Sequence, residues 1–210
     1  MGRFLVIAEV VRIGKSTQGA GVIGALRARG LSVVETAFPD RTAPTAPLIE
    51  AVIAGTLAIV DDPATDPVGQ AIAEQLLFSI NRREAAGALR AEIAARDIVV
   101  ASRYADSARA YAMARGVRRE RIDALHADLE GDLPRPDLVV VMDIDPDIAA
   151  ARGRERVDAF DADLGLQRRV RAAYHELAAT SAHIRLVDAA GAPAEVTARL
   201  IAAIDESAIL

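Results

Sequence analysis

The 210-residue chain has no cysteine, no tryptophan and, among 25 basic residues, a single lysine. Without cysteine there is no disulfide, no thiolate metal site and no thiol nucleophile. Aromatic residues are 3% of the chain against 52% hydrophobic, so any core is aliphatic. No run approaches the ~20 apolar residues that cross a bilayer. The opening "MGRFLVI" is too short an apolar stretch for a secretory leader. The expectation is a cytoplasmic protein with no membrane partner. The net charge of -5 gives no general attraction to nucleic acid, so no nucleic-acid partner is expected and any phosphate binding must be local. Repeats and low-complexity linkers are also missing, and the length fits one domain over residues 1–210.

What is present is an alternation of strand-like and helix-like stretches. "RFLVIAE" (3–9), "LSVVETAF" (31–38), "DIVVAS" (97–102), "DLVVVMDI" (137–144) and "HIRLVDA" (183–189) have strand length. Helical patterns fall at 16–29, 42–55, 68–96, 105–114, 118–129, from 147, at 166–180 and at 194–207. The strands are nearly continuous apolar runs, as in a parallel sheet covered on both faces. The predicted fold is a doubly wound α/β domain with a five-stranded parallel sheet flanked by helices, and ligands belong at the carboxyl ends of its strands. Gly30 is placed to end the first helix. Gly19, Gly21 and Gly24 inside that helix each cost up to ~1 kcal/mol against alanine, a cost that close packing of a neighbour could offset.

The lone lysine stands in Gly14-Lys15-Ser16-Thr17, between the first strand and the first helix. Strand, short loop and Gly-Lys-Ser-Thr opening a helix is the layout of a phosphate-binding loop, the P-loop NTPase arrangement. Backbone amides at the helix start face phosphate oxygens, and the helix dipole adds positive potential there. Lysine is a compact charge on a flexible stem that reaches the β- and γ-phosphates, where the broad guanidinium fork fits less readily. The Ser16 hydroxyl can ligate Mg²⁺. The full motif wants glycine five residues before Gly14, and Glu9 stands there.

Six segments in series resemble the thymidylate kinase family of nucleoside monophosphate kinases. They are "GKSTQ" (14–18), "FPDRT" (38–42), "LLFSINRRE" (76–84), "SRYADSARAY" (102–111), "LPRPDLVVVMDIDP" (133–146) and "VDAFDADLGLQRRVRAAYHELA" (157–178). The resemblance implies transfer of the ATP γ-phosphoryl group to dTMP with Mg²⁺, in a homodimer, with a helical lid over about 152–166. It implies that Gly14, Lys15, Ser16, Thr17 and Arg152 bind ATP. Phe38, Arg41, Phe78, Arg82, Arg103 and Tyr111 would bind a deoxypyrimidine monophosphate: Arg41 and Arg103 at its phosphate, Phe78 stacked on the base, Arg82 bonded to it, Tyr111 near the sugar. Lys15, Arg103 and the lid residue Arg154 would neutralise the migrating group, with Arg12 as a further loop cation and Ser16 on the metal. "DAAGAP" (188–193) resembles the loop that borders adenine.

Several positions depart from the family pattern. Glu9 and Val11 replace a glycine and an aspartate of the loop, Ser102 replaces the aspartate of an Asp-Arg-Tyr motif, and Ala159 replaces a lid arginine. A one-residue deletion would instead align Glu9 with a glutamate of the family. Serine is a weaker ligand than carboxylate for a hard cation; Asp106 or Glu9 could stand in for the missing carboxylate near the metal. The alternatives are a catalytically impaired homologue that binds nucleotide or a partner, and a kinase of another monophosphate.

Overall fold

The computed structural model describes residues 2–10, 15–151 and 163–210, without the side chains of Lys15 and Ser16. Expectations for Arg12, Gly14, Arg152 and Arg154, and most of the expected lid, lie outside these residues. Five strands form one parallel sheet: β1 (Arg3–Glu9), β2 (Val33–Ala37), β3 (Ile98–Ser102), β4 (Leu138–Asp143) and β5 (Ile184–Asp188). Their spatial order is β2-β3-β1-β4-β5. β1 pairs with β3 on one side, Ile7 opposite Ser102, and with β4 on the other, Glu9 opposite Met142. The strand order reverses at β1, so the switch-point crevice opens beyond Glu9 and Ser102.

Helices cover the sheet: α1 (Lys15–Ala28), α2 (Ala46–Ile53), α3 (Pro67–Ala95), α4 (Ala105–Ala114), α5 (Arg119–Glu130), α6 (Pro146–Ala151), α7 (Leu164–Thr180) and α8 (Pro193–Glu206). The central strands are buried on both faces, six consecutive residues in β1 and five in β4. The edge strands differ from the uniformly apolar expectation. β2 and β5 are only partly buried, with Glu35 and Arg185 exposed, because an edge has less cover.

Local chemistry sets several boundaries. Thr42 donates its N–H and hydroxyl to Asp40 Oδ1, at 2.8 and 2.7 Å. This turn leaves residues 42–45 outside the helix expected from 42, and α2 begins at Ala46 with Pro47 in its first turn. Asp163 caps α7 by accepting the Leu166 N–H at 3.0 Å, so the helix begins at Leu164, two residues upstream of the expected start. Gly30 ends α1 with φ +85°, a conformation that side chains resist. Of the three glycines inside α1, only Gly21 is forced by a neighbour. A Cβ there would stand 2.9 Å from Thr197 Oγ1 of α8.

Candidate active site

Arg103 directly follows β3 at the switch point. Its N–H donates to Ile7 O of β1 at 3.0 Å, and its backbone is left-handed, φ 63°. That conformation costs an ordinary residue roughly 1–2 kcal/mol. It turns the chain out of the strand direction just after the Ser102 carbonyl accepts the Phe38 N–H at 2.9 Å. The guanidinium is set between two groups. Nη2 lies 3.4 Å from Glu9 Oε1, and the guanidinium carbon is 5.7 Å from the centre of the Tyr111 ring, within cation–π range. Glu9 is 2% exposed; as the last residue of β1, it points a carboxylate at the very arginine beside it.

The donor side is built from α1 and the loop before α8. Lys15 opens α1, so the unpaired amides of a helix N-terminus belong to its first turn. Thr17 is exposed there. Gln18 is buried and ties the two elements together: its Nε2 donates to Pro193 O at 3.1 Å, and its Oε1 accepts from Thr197 Oγ1 at 2.7 Å. The loop at 188–193 is fixed by Arg199 Nη1, which donates to the carbonyls of Asp188 and Ala190 at 2.6 and 2.7 Å. Glu195 accepts the Ala192 N–H at 3.0 Å.

The acceptor side is organised by α3. Asn81, wholly buried, receives the Asp40 N–H at 2.7 Å and donates to Asp40 O at 2.9 Å. It thereby fixes the Phe38–Thr42 turn against the helix carrying Phe78 and Arg82. Phe38 is buried edge-on against Tyr104, ring centres 4.8 Å apart. Arg41 leaves the same turn with its side chain 72% exposed. Its Nε lies 2.9 Å from Glu50 Oε1, an ion pair too poorly aligned for a hydrogen bond. Phe78 is half-buried and meets no other aromatic ring among the described residues. Arg82, four residues on, is buried and ion-paired with Glu130 of α5.

The cations near the expected lid are anchored at its base. Arg168 pairs with Asp147 of α6 at 2.6 Å, and Arg169 Nε donates to Ala114 O at 2.8 Å. Asp143, at the end of β4, accepts from Arg171 at 2.7 Å and lies 2.9 Å from His175 Nε2. Burial would raise its pKa, but these two partners hold it below the ordinary carboxylate value. Asp106 is likewise pushed up by burial and more than offset by His183 and Arg109, which leave it ionised below its ordinary value. It is engaged by those partners inside the fold.

The structure therefore gathers Glu9, Arg103 and Tyr111 at one edge, and Phe38, Arg41, Phe78 and Arg82 around one stretch of α3. Asn81, Glu130 and Gln18 were missed by the sequence. Asn81 could have been noticed as an amide closing the mostly apolar "LLFSIN" stretch. Glu130 gives no such signal in a strongly charged helix.

The family model for thymidylate kinase matches residues 10–200. The chain is 37% identical over 212 residues to the thymidylate kinase of Rhizorhabdus wittichii, covering 97% of each chain. It is 34% identical over 194 residues to that of Ruegeria pomeroyi, covering 89% of this chain and 87% of the relative. A solved thymidylate kinase from Candida albicans superposes with a TM-score of 0.76 at 23% identity, over 99% of this chain and 93% of the other. At that identity the likeness speaks for the fold alone.

Proposed function

The chain belongs to the thymidylate kinase family, and from that premise we propose that it transfers the γ-phosphoryl group of ATP to dTMP, giving ADP and dTDP. The observation that carries this reading is the Arg103 guanidinium, held by Glu9 and Tyr111 at the switch point of the sheet. A cation fixed there meets the phosphate of an acceptor. Arg41, on its exposed turn, supplies a second positive charge. An acceptor-phosphate oxygen attacks the γ-phosphorus while the bond to the β-phosphate oxygen breaks. The nucleophile is already an oxyanion, so no general base is needed, and positioning with charge neutralisation carries the catalysis. Lys15 and the first-turn amides of α1, with Thr17, hold the donor. Arg152 is assigned to the donor, and Arg12 and Arg154 to the migrating charge.

Phe78 stacks on the base and Arg82 bonds to it, while Tyr111 borders the sugar. For the metal, no group of three or more His, Asp or Glu side chains is arranged to hold an ion among the described residues. That donor set fits Mg²⁺ bound through substrate phosphates and water rather than in a protein cage, with the Ser16 hydroxyl as the chain's contribution. Bound Mg²⁺ would supply neutralisation of the phosphate charge. No helix among the described residues is long and apolar enough to cross a membrane, in keeping with a cytoplasmic enzyme. Leu48, Leu57, Ile59, Leu76 and Ile80 are exposed on α2, α3 and the segment between them, an apolar face for a second copy in a homodimer.

A coupled ADP-release assay with Mg-ATP and a panel of monophosphates tests the reading. Turnover is expected on dTMP, and Arg103→Ala should lower kcat/KM for dTMP by about a hundredfold, the scale of losing a charge-stabilising donor. dTMP binding without turnover would favour the impaired homologue. Turnover on another acceptor alone would overturn the assignment.

A further inference from the structure

Arg82 is 3% exposed, yet its guanidinium is not fully used. Nε donates to Glu130 Oε2 at 3.0 Å, and Nη2 donates to Glu130 Oε1 and to Ser79 Oγ at 3.2 Å. Ser79 in turn donates its hydroxyl proton to Glu130 Oε1. The ring of Tyr104 covers one side, 5.9 Å from the guanidinium carbon. Nη1 makes no hydrogen bond among the described residues and is not among the unpaired polar atoms sealed from solvent. The carboxylate fork thus grips one edge of the guanidinium, fixes its plane, and leaves one nitrogen with two N–H groups to offer.

His126, packed beside the pair, adds no charge to it. His126 Nδ1 is 3.8 Å from Glu130 Oε2, and its Nε2 is 3.2 Å from Gln75 Oε1. Burial pushes the imidazole down to about 4, so it is neutral at physiological pH. Arg82 and Glu130 cancel, and the site presents an oriented donor without a net charge.

We propose that Glu130 is a positioning residue for base selection: it locks Arg82 so that Nη1 faces the base with a fixed donor, favouring a ring carbonyl over an exocyclic amine. The proposal rests on the reading above that Arg82 contacts the base. A cytosine-type ring would set an amine against Nη1, donor against donor, which leaves both unpaired in a buried site. A loosened guanidinium could turn away and let water satisfy both groups, and the preference would relax.

The test compares kcat/KM for dTMP and dCMP in the full-length enzyme. Glu130→Gln keeps the shape but removes the charge and one acceptor. It should lower the dTMP:dCMP ratio by about tenfold, chiefly by raising the KM for dTMP, with kcat and the KM for ATP within about twofold. Arg82→Ala should lower the ratio at least as far, and Arg82→Ala/Glu130→Gln no further than Arg82→Ala alone. If Glu130→Gln leaves the ratio unchanged while Arg82→Ala collapses it, the positioning role is wrong and the base-contact reading stands. An unchanged ratio in Arg82→Ala removes both. Should Glu130→Gln not fold, Glu130→Asp decides. Its shorter stem cannot hold both Nε and Nη2, so a several-fold fall is expected, and a wild-type ratio overturns the proposal.

Discussion

Two interiors of this molecule are buried to similar depth and held by opposite means. Around β1, β3 and β4 the interior is aliphatic, from Leu5, Val6 and Ile7 to Val139, Val140 and Val141. Between α3 and α5 it is polar: Gln75, Ser79, Arg82, His126 and Glu130 are all nearly inaccessible. The first interior follows from non-directional burial, in which any well-shaped aliphatic serves. The second works only if each donor meets its acceptor, since a buried polar group left alone is costly. The aliphatic interior supports the edge where Arg103 stands; the polar one carries the proposed base contact.

The sharpest way to break that contrast is to unbalance the polar seam. Glu130→Leu strands the Arg82 charge and should cost about 3–5 kcal/mol, read by urea unfolding. The double variant Arg82→Met/Glu130→Leu should recover most of that stability, because an apolar pair of similar volume replaces a buried ion pair at little cost. If the double is as unstable as the single, the loss came from packing and the contrast fails. In the sheet the cost is one of lost volume, not of a stranded charge: Leu5→Ala should cost about 2–5 kcal/mol.

Next in size is the pH dependence. His126 has its pKa depressed from 6.5 to about 4, chiefly by burial, with Glu130 opposing. The unfolded chain therefore binds a proton through a window in which the native protein does not, and stability falls as pH drops from about 6.5 to about 4. The loss amounts to about 3 kcal/mol. His126→Gln should flatten the unfolding free energy across that window. Glu130 and Asp106 would still lose stability at lower pH, since their partners outweigh burial and hold their pKa values down. A profile unchanged by the substitution would place the acid sensitivity elsewhere.

The smallest effects separate two glycines of α1. Gly24→Ala meets nothing within 4 Å and should stabilise by up to about 1 kcal/mol through helix propensity. Gly21→Ala drives a methyl against Thr197 of α8 and should cost about 1–3 kcal/mol. Thermal melts of both variants, compared directly, should move in opposite directions.

Much was legible beforehand because it is local. All five strands fall inside the predicted runs, and Gly30 ends the first helix as expected. The order β2-β3-β1-β4-β5 was not stated by any motif, although the apolar runs required a parallel sheet. At the site, Arg103 and Tyr111 were singled out by the resemblance to the family, whereas Glu9 read as a departure from the phosphate loop or a carboxylate near the metal. Its place as the partner of Arg103 appears once β1 and β3 lie side by side.

By itself the chain determined its layers, the course of each strand and helix, and a phosphate-loop tetrapeptide at the first turn. These depend on periodicity, caps and residue type, which act over a few residues. The tertiary structure alone decided that a glutamate of α5 grips an arginine 48 positions earlier, and that a buried asparagine fixes the Phe38–Thr42 turn. Directional bonds between distant segments have no periodic signature, because their partners are chosen by how the helices pack and not by where they stand in the chain.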